Sequence, residues 1–288
     1  MSAESATPRL VGRRVALRPL FQSDYDFLYR IAGDPTNEFR WRYRGITPSP
    51  EEFARGLWAH VHTQFIIVRR ADSERVGLAT AYEENLRDGW TNLAVLTSPR
   101  FIGTGAAIEG CMLFIDYLFF HFPLRKIYMD VPEFNLESIS SGLGKFLTVE
   151  GRRAAHIFHA ETYWDLLTLT VTRESWGETR TAIGTSLDAS SPVDRPVVDR
   201  ADPEGPSRLS LDGFCVLVAE MFGLSPQGVR PDSRLGEDLG IDSLGLVELN
   251  SHIDDLVGEV EDDPFLDVLT VRDAYLYLSR VSQRPRLS

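Results

Sequence analysis

Ser243 has the residue type and the position to carry a covalently attached group. It lies in the stretch 240–249, where Asp242, Ser243 and Leu244 precede apolar residues at helical spacing. The predicted helix start leaves one hydroxyl exposed at its N-terminus. A serine that follows an aspartate at such a start is usually only an N-cap. The motif alone therefore leaves two interpretations open, a cap and a covalent tether.

The sequence around Ser243 predicts a small helical domain over residues 209–282. One helix precedes a long loop, Ser243 begins the second helix, a short helix begins at Asp263, and a last helix covers residues 271–281. Inward-facing apolar residues mark the first two of these helices: Phe214, Leu217, Val218, Met221, Phe222, Leu246, Leu249, Ile253 and Leu256.

This pattern resembles the acyl and peptidyl carrier domains, in which 4′-phosphopantetheine is esterified to the serine of a [D/E]-S-L motif. The approach D-L-G-I-D-S-L and an apolar loop residue, Leu235 or Leu239, are part of the resemblance. The resemblance implies a four-helix carrier bundle with phosphopantetheine on Ser243. It also implies a phosphopantetheinyl transferase as the partner that attaches the group.

A second candidate site is the glycine-containing loop at residues 100–105, R-F-I-G-T-G. It connects a predicted strand to a strongly apolar helix. Such a loop presents free backbone N–H groups and the positive end of a helix dipole, which together can hold a pyrophosphate. The alternative is a tight turn whose glycines only provide positive φ angles.

The elements around this loop predict a mixed sheet flanked by helices. Ser23 or Asp24 can cap the first helix, and Ser49 can cap the second, which we expect to run through Val61. A short antiparallel meander precedes the loop, and a strand, a helix beginning near Asn135 and a closing hairpin follow it. Strands are predicted at residues 14–20, 64–70, 75–84, 90–99, 126–132, 146–158 and 162–173.

Three stretches in residues 8–178 resemble the GNAT N-acetyltransferase superfamily, specifically its RimJ/RimL type. The loop at 100–105 is similar to the family's pyrophosphate loop, Asn135 and Ser138 to its N-x-x-S helix start, and residues 150–176 to its closing hairpin. The resemblance implies an α/β (α+β) mixed-sheet acetyltransferase fold. It also implies coenzyme A or acyl-CoA as cofactor and a small amine as acceptor.

The resemblance further implies where the coenzyme binds. Asn135 and Ser138 would lie near the thioester, with the Ser138 hydroxyl as general acid to the leaving thiolate. From the residues alone, Asn135 is also a good N-cap and Ser138 an ordinary polar residue of a first helical turn. Pyrophosphate contacts are implied for Arg100, Phe101, Ile102, Gly103, Thr104 and Gly105, and pantetheine contacts for Leu93, Val95 and Thr97, where the family's sheet has a bulge.

One departure from the family concerns the end of the helix that begins near Asn135. Family members end it with Gly-Phe, whereas this chain has Phe146 and Leu147 in that register, with Gly142 and Gly144 placed earlier. Glycine inside a helix costs about 1 kcal/mol relative to alanine. We therefore expect the helix to end early or to pack differently over the thioester, which affects the choice of acceptor.

No general base identifies itself in the sequence. Amine acylation needs one, because an ammonium must lose a proton before it attacks. Glu83, Glu84, Asp130 and Asp165 occupy predicted strand positions that could face a cleft, although exposed carboxylates are common. A metal site formed by the two histidines near residue 158 is not expected, because they would face opposite sides of a strand.

Composition separates the carrier region from the rest of the chain. The net charge is −12, and residues 208–288 contribute 15 acidic and 7 basic side chains. An acidic surface disfavours nucleic-acid binding and suits docking on basic patches of biosynthetic partner enzymes, although the acidic run 259–263 is more simply a solvated face. Residues 179–208, rich in Ser, Pro and Asp, predict a flexible linker.

Two cysteines and the absence of a long apolar run predict a protein of the reducing cytoplasm without a membrane anchor. Three functions fit the two domains. The leading one is transfer of an acyl group from a thioester to an amine in secondary-metabolite biosynthesis. The second is a loading didomain that moves an acyl group from coenzyme A to the thiol on Ser243. The third is a non-catalytic first domain that positions the carrier for partner enzymes.

Overall fold

The computed structural model describes residues 10–37, 41, 45–182, 209–257 and 268–282. Its N-terminal region contains one eight-stranded sheet in the order β1-β2-β3-β4-β5-β6-β8-β7. Neighbouring strands are antiparallel except for β5 and β6, which are parallel. The strands are β1 (Leu10–Val11), β2 (Val15–Pro19), β3 (Val61–Arg69), β4 (Arg75–Asn85), β5 (Trp90–Thr97), β6 (Lys126–Pro132), β7 (Thr148–His159) and β8 (Thr162–Thr172).

Helices cover both faces of this sheet, as the sequence predicted for a mixed sheet. The helix after the glycine loop is apolar on most of its surface and packs on one face with the buried side chains of β2, β3 and β8. The first two helices pack on the opposite face. The helices are α1 (Tyr25–Ala32), α2 (Pro50–Gly56), α3 (Ala106–His121), the 3₁₀-helix Glu133–Gly142, α4 (Arg173–Ala182), α5 (Leu211–Met221), α6 (Ser243–Val257) and α7 (Val271–Ser282).

The two N-terminal helix starts differ from each other. Ser49 caps α2 as predicted, accepting a bond from the Glu52 amide, while the Glu52 carboxylate accepts the Ser49 amide in return. Neither predicted residue caps α1 through its side chain, so that prediction is wrong. The Asp24 carboxylate is buried and accepts two bonds from Arg18 instead, at 2.7 and 2.8 Å. Its Oδ2 also accepts the Phe21 amide at 2.9 Å, so the carboxylate closes the turn before α1 and does not cap α1 itself.

The predicted extension of the second helix to Val61 is also wrong. Helix α2 ends at Gly56, and Val61 is the first residue of β3, where it pairs with Tyr82. The apolar residues Phe53, Leu57 and Val61 fit a helical period, but the β-rich run that follows extends back to Val61. Tertiary pairing therefore decides the boundary.

The carrier region has its own core between α5, α6 and α7. Phe214, Leu249 and Ile253 are fully buried there, and Leu235 is the buried residue of the long loop. Leu239 is only partly buried against this core. The short helix predicted from Asp263 lies outside the described residues, so three of the four predicted helices are seen.

The domain boundaries differ slightly from those predicted. Helix α4 continues to Ala182, beyond the predicted domain end at residue 178. Trp176 on this helix packs edge-on against Phe146 and donates to the Asp116 carboxylate at 3.3 Å. The helix is therefore part of the N-terminal fold. Residues 183–208 of the predicted linker lie outside the described residues.

The two cysteines, Cys111 and Cys215, are buried free thiols in different domains. Within the described part of the chain, His, Cys, Asp and Glu form no group of three that could hold a metal ion. The helices in the same residues are each too short or too polar to cross a bilayer.

Candidate functional site

A gap opens in the sheet where β5 and β6 separate. These strands pair only at their starts, Trp90–Asn92 against Lys126–Tyr128, although β5 keeps its pairing with β4 as far as Thr97. Strand β6 likewise remains paired with β8 to its end. Beyond Asn92, the facing edges of β5 and β6 therefore present unpaired backbone groups to a cavity of about 530 Å³.

This cavity reaches both faces of the sheet. Val95 and Ile108 line it from the α3 face, where their side chains pack on the core of that side. Trp41 and Asn37 line it from the α1–α2 face. The Asn37 side-chain amide is fixed there by bonds to the carbonyls of Ile31 and Thr97, at 2.9 and 2.7 Å. Two reactants could therefore enter from opposite faces and meet inside the sheet.

The glycine loop forms the end of this cavity on the α3 side. Gly103 and Gly105 have φ angles of 77° and 80°, which only glycine adopts without strain. Their amides have no hydrogen-bond partner among the described residues. A Cβ on Gly103 would meet nothing within 4 Å, so the loop is open on that side. Two free amides before a sixteen-residue helix fit a pyrophosphate group.

The predicted loop residues do not all face the cavity. Phe101, Ile102, Gly103 and Gly105 line it, as Leu93, Val95 and Thr97 do on the preceding strand. Arg100 is exposed and forms an ion pair with Glu74 at 2.7 Å, outside the cavity lining. The Thr104 hydroxyl donates to the Phe101 carbonyl at 2.8 Å and so closes the loop.

Asn135 lines the cavity, but it is not a helix N-cap. The 3₁₀-helix begins at Glu133 with Pro132 as its cap residue, two positions earlier than the sequence suggested. Asn135 is thereby inside the helix and half-buried beside the β6 edge. Ser138 lies three residues further along the same helix, and its side chain lies outside the described part of the structure. The alternative of a capping asparagine does not hold.

The helix ends early, as its two glycines predicted. It stops at Gly142, and Gly144 follows with a φ angle of 78°. The Leu147 amide then donates back to the Gly142 carbonyl at 2.9 Å. Phe146 and Leu147 are buried in the core on the α3 face. The chain therefore turns into β7 through a tight loop in place of a longer helix.

The four carboxylates considered as a base are each engaged elsewhere. Asp130 lines the cavity, but it pairs with Arg153 and accepts the Thr168 hydroxyl at 2.7 Å. The Ala155 amide and Arg152 hold the pKa of Asp165 below its usual range. Such a carboxylate is ionised and weakly basic. Glu84 is near His62 at 3.3 Å, and Glu83 accepts a bond from Asn92 at 3.3 Å.

Two cavity residues on β4, Thr80 and Tyr82, were missed by the sequence analysis. The Thr80 hydroxyl is buried without a hydrogen-bond partner among the described residues, which is costly unless a ligand supplies one. The alternation of Leu78, Thr80 and Tyr82 along the predicted strand could have placed both on one face. The position of the gap could not be read from that alternation.

At the start of α6, Asp242 and not Ser243 provides the side-chain cap. The Asp242 carboxylate accepts the amides of Leu244 and Gly245 at 3.2 and 3.0 Å, so the aspartate caps this helix. Ser243 is the first helical residue, and its side chain lies outside the described part of the structure. The helix therefore does not need Ser243 as its cap.

Comparison with known proteins agrees with this architecture. Residues 212–278 match the family model for a phosphopantetheine attachment site. Over 64 residues the chain is 38% identical to the acyl carrier protein of Nitratidesulfovibrio vulgaris, which corresponds to 22% of this chain and 84% of that protein. The chain belongs to the acyl carrier protein family through this domain. The acyl carrier protein of Thermobifida fusca is 35% identical over 71 residues, covering 24% of this chain and 90% of that protein.

The region before the acyl carrier domain matches a different family. Residues 14–140 match the model for an acetyltransferase (GNAT) domain. A crystal structure of spermidine N-acetyltransferase from Vibrio cholerae, in complex with CoA and spermine, has the same fold with a TM-score of 0.50. It is 21% identical and covers 57% of this chain and 98% of that chain. The chain thus joins a region that matches the acetyltransferase (GNAT) domain model to an acyl carrier domain with a phosphopantetheine attachment site.

Proposed function

We propose that the protein transfers an acyl group from a pantetheine thioester to an amine, in the assembly of a secondary metabolite. The observation that carries this proposal is the cavity through the sheet, which has the two free glycine amides at one end and Trp41 and Tyr82 toward the other. The donor enters along the α3 face, and the acceptor enters from the α1–α2 face. Each reactant then has its own route to the gap between β5 and β6.

Three parts of the chain hold the donor in this proposal. The amides of Gly103 and Gly105 bind its phosphate groups, and the free edge of β5 at Leu93, Val95 and Thr97 pairs with its amides. Bound in this way, pantetheine supplies the thioester whose carbonyl the amine attacks. The Ser138 hydroxyl gives a proton to the leaving sulfur as the C–S bond breaks and the C–N bond forms, and it regains a proton from the newly bonded nitrogen. The proton of the ammonium leaves to water.

The acceptor side combines the aromatic ring of Trp41 with the polar side chains of Asn37 and Thr80. Trp41 is almost fully buried, and the Thr80 hydroxyl is a buried donor without a partner among the described residues. A small amine with a neighbouring hydrogen-bond acceptor would satisfy Thr80. Asp130 at the β6 edge adds a negative charge that attracts an ammonium, although Arg153 partly neutralises it.

Ser243 carries the phosphopantetheine arm of the acyl carrier domain in this proposal. A phosphopantetheinyl transferase is the partner that attaches the arm, and biosynthetic enzymes dock on the acidic surface of the domain. A second candidate function is a loading didomain, in which the acyl group moves from coenzyme A to the Ser243 arm. The observation in its favour is that α6 is packed directly against α3 and the 3₁₀-helix beside the cavity. The open amides and the cavity argue against a first domain without catalytic function.

The experiment is intact-protein mass after three successive additions: a transferase with coenzyme A, then an acyl-CoA, then candidate amines. Amine acylation that depends on the intact cavity supports the proposal. Acyl mass that accumulates on Ser243 and never reaches an amine supports the loading didomain. Saturation with acetyl-CoA at 100 times its dissociation constant should also stabilise the full chain by about 2.7 kcal/mol. A chain that neither transfers an acyl group nor gains stability would contradict both functions.

A further inference from the structure

The acyl carrier domain packs on the acetyltransferase domain through one face of α6. Leu244 is only 2% exposed, and it is buried in the core that α3 forms with the sheet, not in the core of its own domain. Val247, one turn further, packs on the same core. Leu246, Leu249 and Ile253 on the other face of α6 complete the carrier core. Helix α6 is therefore apolar on two sides: one side packs on the acetyltransferase domain and the other on the core of the carrier domain.

Three polar contacts surround this apolar contact. Lys145 Nζ pairs with Glu248 Oε1 at 2.5 Å, and Arg13 Nη1 donates to the Ser251 carbonyl at 3.2 Å. At the other end, the Ser140 hydroxyl donates to the Asp242 carboxylate at 3.4 Å. The basic partners in these pairs belong to the acetyltransferase domain and the acidic ones to the carrier. The charges of the two surfaces are thus complementary.

The contact lies beside the donor end of the cavity. Ser140, which touches Asp242, directly follows Ile139 of the cavity wall. The residue after Asp242 is Ser243, so the attachment point is next to this wall. A second, smaller gap lies between Gly105 at the glycine loop and Val247 and Asn250 of α6. The carrier helix therefore stands immediately outside the loop that is proposed to bind phosphate.

The Asn250 side chain lies in this interface and lines the smaller gap. It is 1% exposed, and its Oδ1 atom accepts no hydrogen bond from the residues that the structure describes. A buried acceptor without a donor costs about 1–3 kcal/mol. An interface formed only to bury apolar surface would gain by replacing this residue. Its position beside the loop suits a contact that is completed when a donor arm is present.

We infer that the acyl carrier domain docks here to present its Ser243 arm to the cavity, in the place that the nucleotide end of coenzyme A would otherwise take. The acyl donor for this site is then the carrier-bound thioester, and coenzyme A competes with the docked carrier. This inference rests on the proposed function. The tether keeps the carrier at high effective concentration near the site, so that a weak interface is sufficient.

The first test is a zero-length carbodiimide cross-link in the full chain. Lys145 and Glu248 should be joined, since their charged atoms are in contact, and the pair Lys126–Glu150 within the first domain serves as an internal control. Val247→Arg places a charge in the apolar contact and should remove the first cross-link while leaving the second. The matched control is Val216→Arg, because Val216 is an exposed valine on α5 of the same domain. A Lys145–Glu248 cross-link that is missing in the wild type or unchanged in Val247→Arg overturns the inference.

The second test is calorimetric titration of coenzyme A into the same proteins. If the docked carrier covers the site for most of the time, Val247→Arg should bind coenzyme A about tenfold more tightly, because the open fraction increases. Val216→Arg should bind like the wild type. Equal affinities in all three proteins overturn the competition between carrier and coenzyme A.

Turnover separates this inference from the proposed function. After intact mass confirms the arm on each protein, amine acylation from the acylated arm should fall about tenfold in Val247→Arg, while acylation from acyl-CoA should not fall. Equal rates from the arm in both proteins would mean that docking has no role. If no amine is acylated from any donor, the proposed function fails, and the cross-link and titration results still decide whether the carrier docks.

Discussion

Helices α3 and α6 begin in similar ways but present different first turns. Gly105, with φ 80°, directly precedes α3, and Gly240, with φ 66°, lies three residues before α6. At α3 the amide of Gly105 has no partner among the described residues. At α6 the first-turn amides are taken by the Asp242 carboxylate. The start of α3 can bind an anion, whereas the Asp242 carboxylate already occupies the start of α6.

Under the proposed function, this difference corresponds to two ways of holding a phosphate that is linked to pantetheine. The positive end of a helix with free amides attracts phosphate without a covalent bond. At α6 the carboxylate occupies those amides and repels free phosphate, so the phosphate proposed there is held by a covalent bond. The adjacent Ser243 is the proposed hydroxyl for that bond. In the proposed function, pantetheine reaches one cavity by affinity, as coenzyme A, or by attachment, as the carrier arm.

The largest expected effect is on the covalent site. Ser243→Ala should abolish the mass increase that a phosphopantetheinyl transferase and coenzyme A produce, because no other hydroxyl has this position at the start of α6. Ser225→Ala, at an exposed loop serine of the same domain, should take up one full equivalent. Intact-protein mass measures both. If Ser243→Ala takes up as much phosphopantetheine as the wild type, Ser243 is not the attachment site, and the comparison between the two helix starts fails.

A smaller effect, a loss of turnover, is expected at Ser138, where the arm or the coenzyme is proposed to deliver its thioester. Ser138→Ala should lower turnover about 10²-fold with little change in donor affinity, because only the proton to the leaving sulfur is lost. Glu137→Ala, at an exposed neighbour on the same 3₁₀-helix, should keep normal turnover. Steady-state rates with saturating acyl-CoA measure both variants. If Ser138→Ala has a normal kcat, Ser138 is not the acid that protonates the leaving sulfur.

The open helix start should respond to a side chain on Gly105. Gly105→Val forces a β-branched residue into positive φ and disturbs the free amides, so coenzyme A affinity should fall about tenfold or more, as expected for losing a hydrogen bond to a charged group. Gly223→Val has similar strain, at φ 62°, but lies in the carrier domain. It should leave the affinity unchanged. Titration calorimetry gives the affinities, and circular dichroism checks that both variants fold.

Much of this architecture follows from local sequence. The run at Lys126–Pro132 was predicted with the observed ends, and Gly142 and Gly144 predicted the early end of the 3₁₀-helix. The glycine loop was recognisable because φ angles near 80° require glycine. In these places the local preferences of the chain and its tertiary contacts agree.

Long-range contacts could not be predicted in the same way. The family resemblance implied that a bulge at 93–97 separates two neighbouring strands. The separation of β5 from β6 is present, but the β4–β5 register runs through this stretch without a shift, and no residue in it specifies where pairing stops. Arg100 fits a phosphate site by type, yet Glu74, on a distant turn, holds it in an ion pair. Leu244 was assigned to the carrier motif, and its burial in the other domain depends on docking. Each of these features joins residues that are far apart in the chain.

The smallest expected effect concerns the one thiol that lines the cavity. Burial raises the pKa of Cys111 to about 12, so at pH 8 only about one molecule in 10⁴ carries the thiolate. The acyl group should therefore pass directly from the pantetheine sulfur to the amine, and Cys111→Ala should change turnover less than threefold. As a check, Ser243→Ala protein incubated with acyl-CoA should gain no acyl mass. If that protein gains an acyl mass that is lost in the Ser243→Ala/Cys111→Ala double variant, the cysteine is an acyl carrier, and the cavity would then hold a third attachment point.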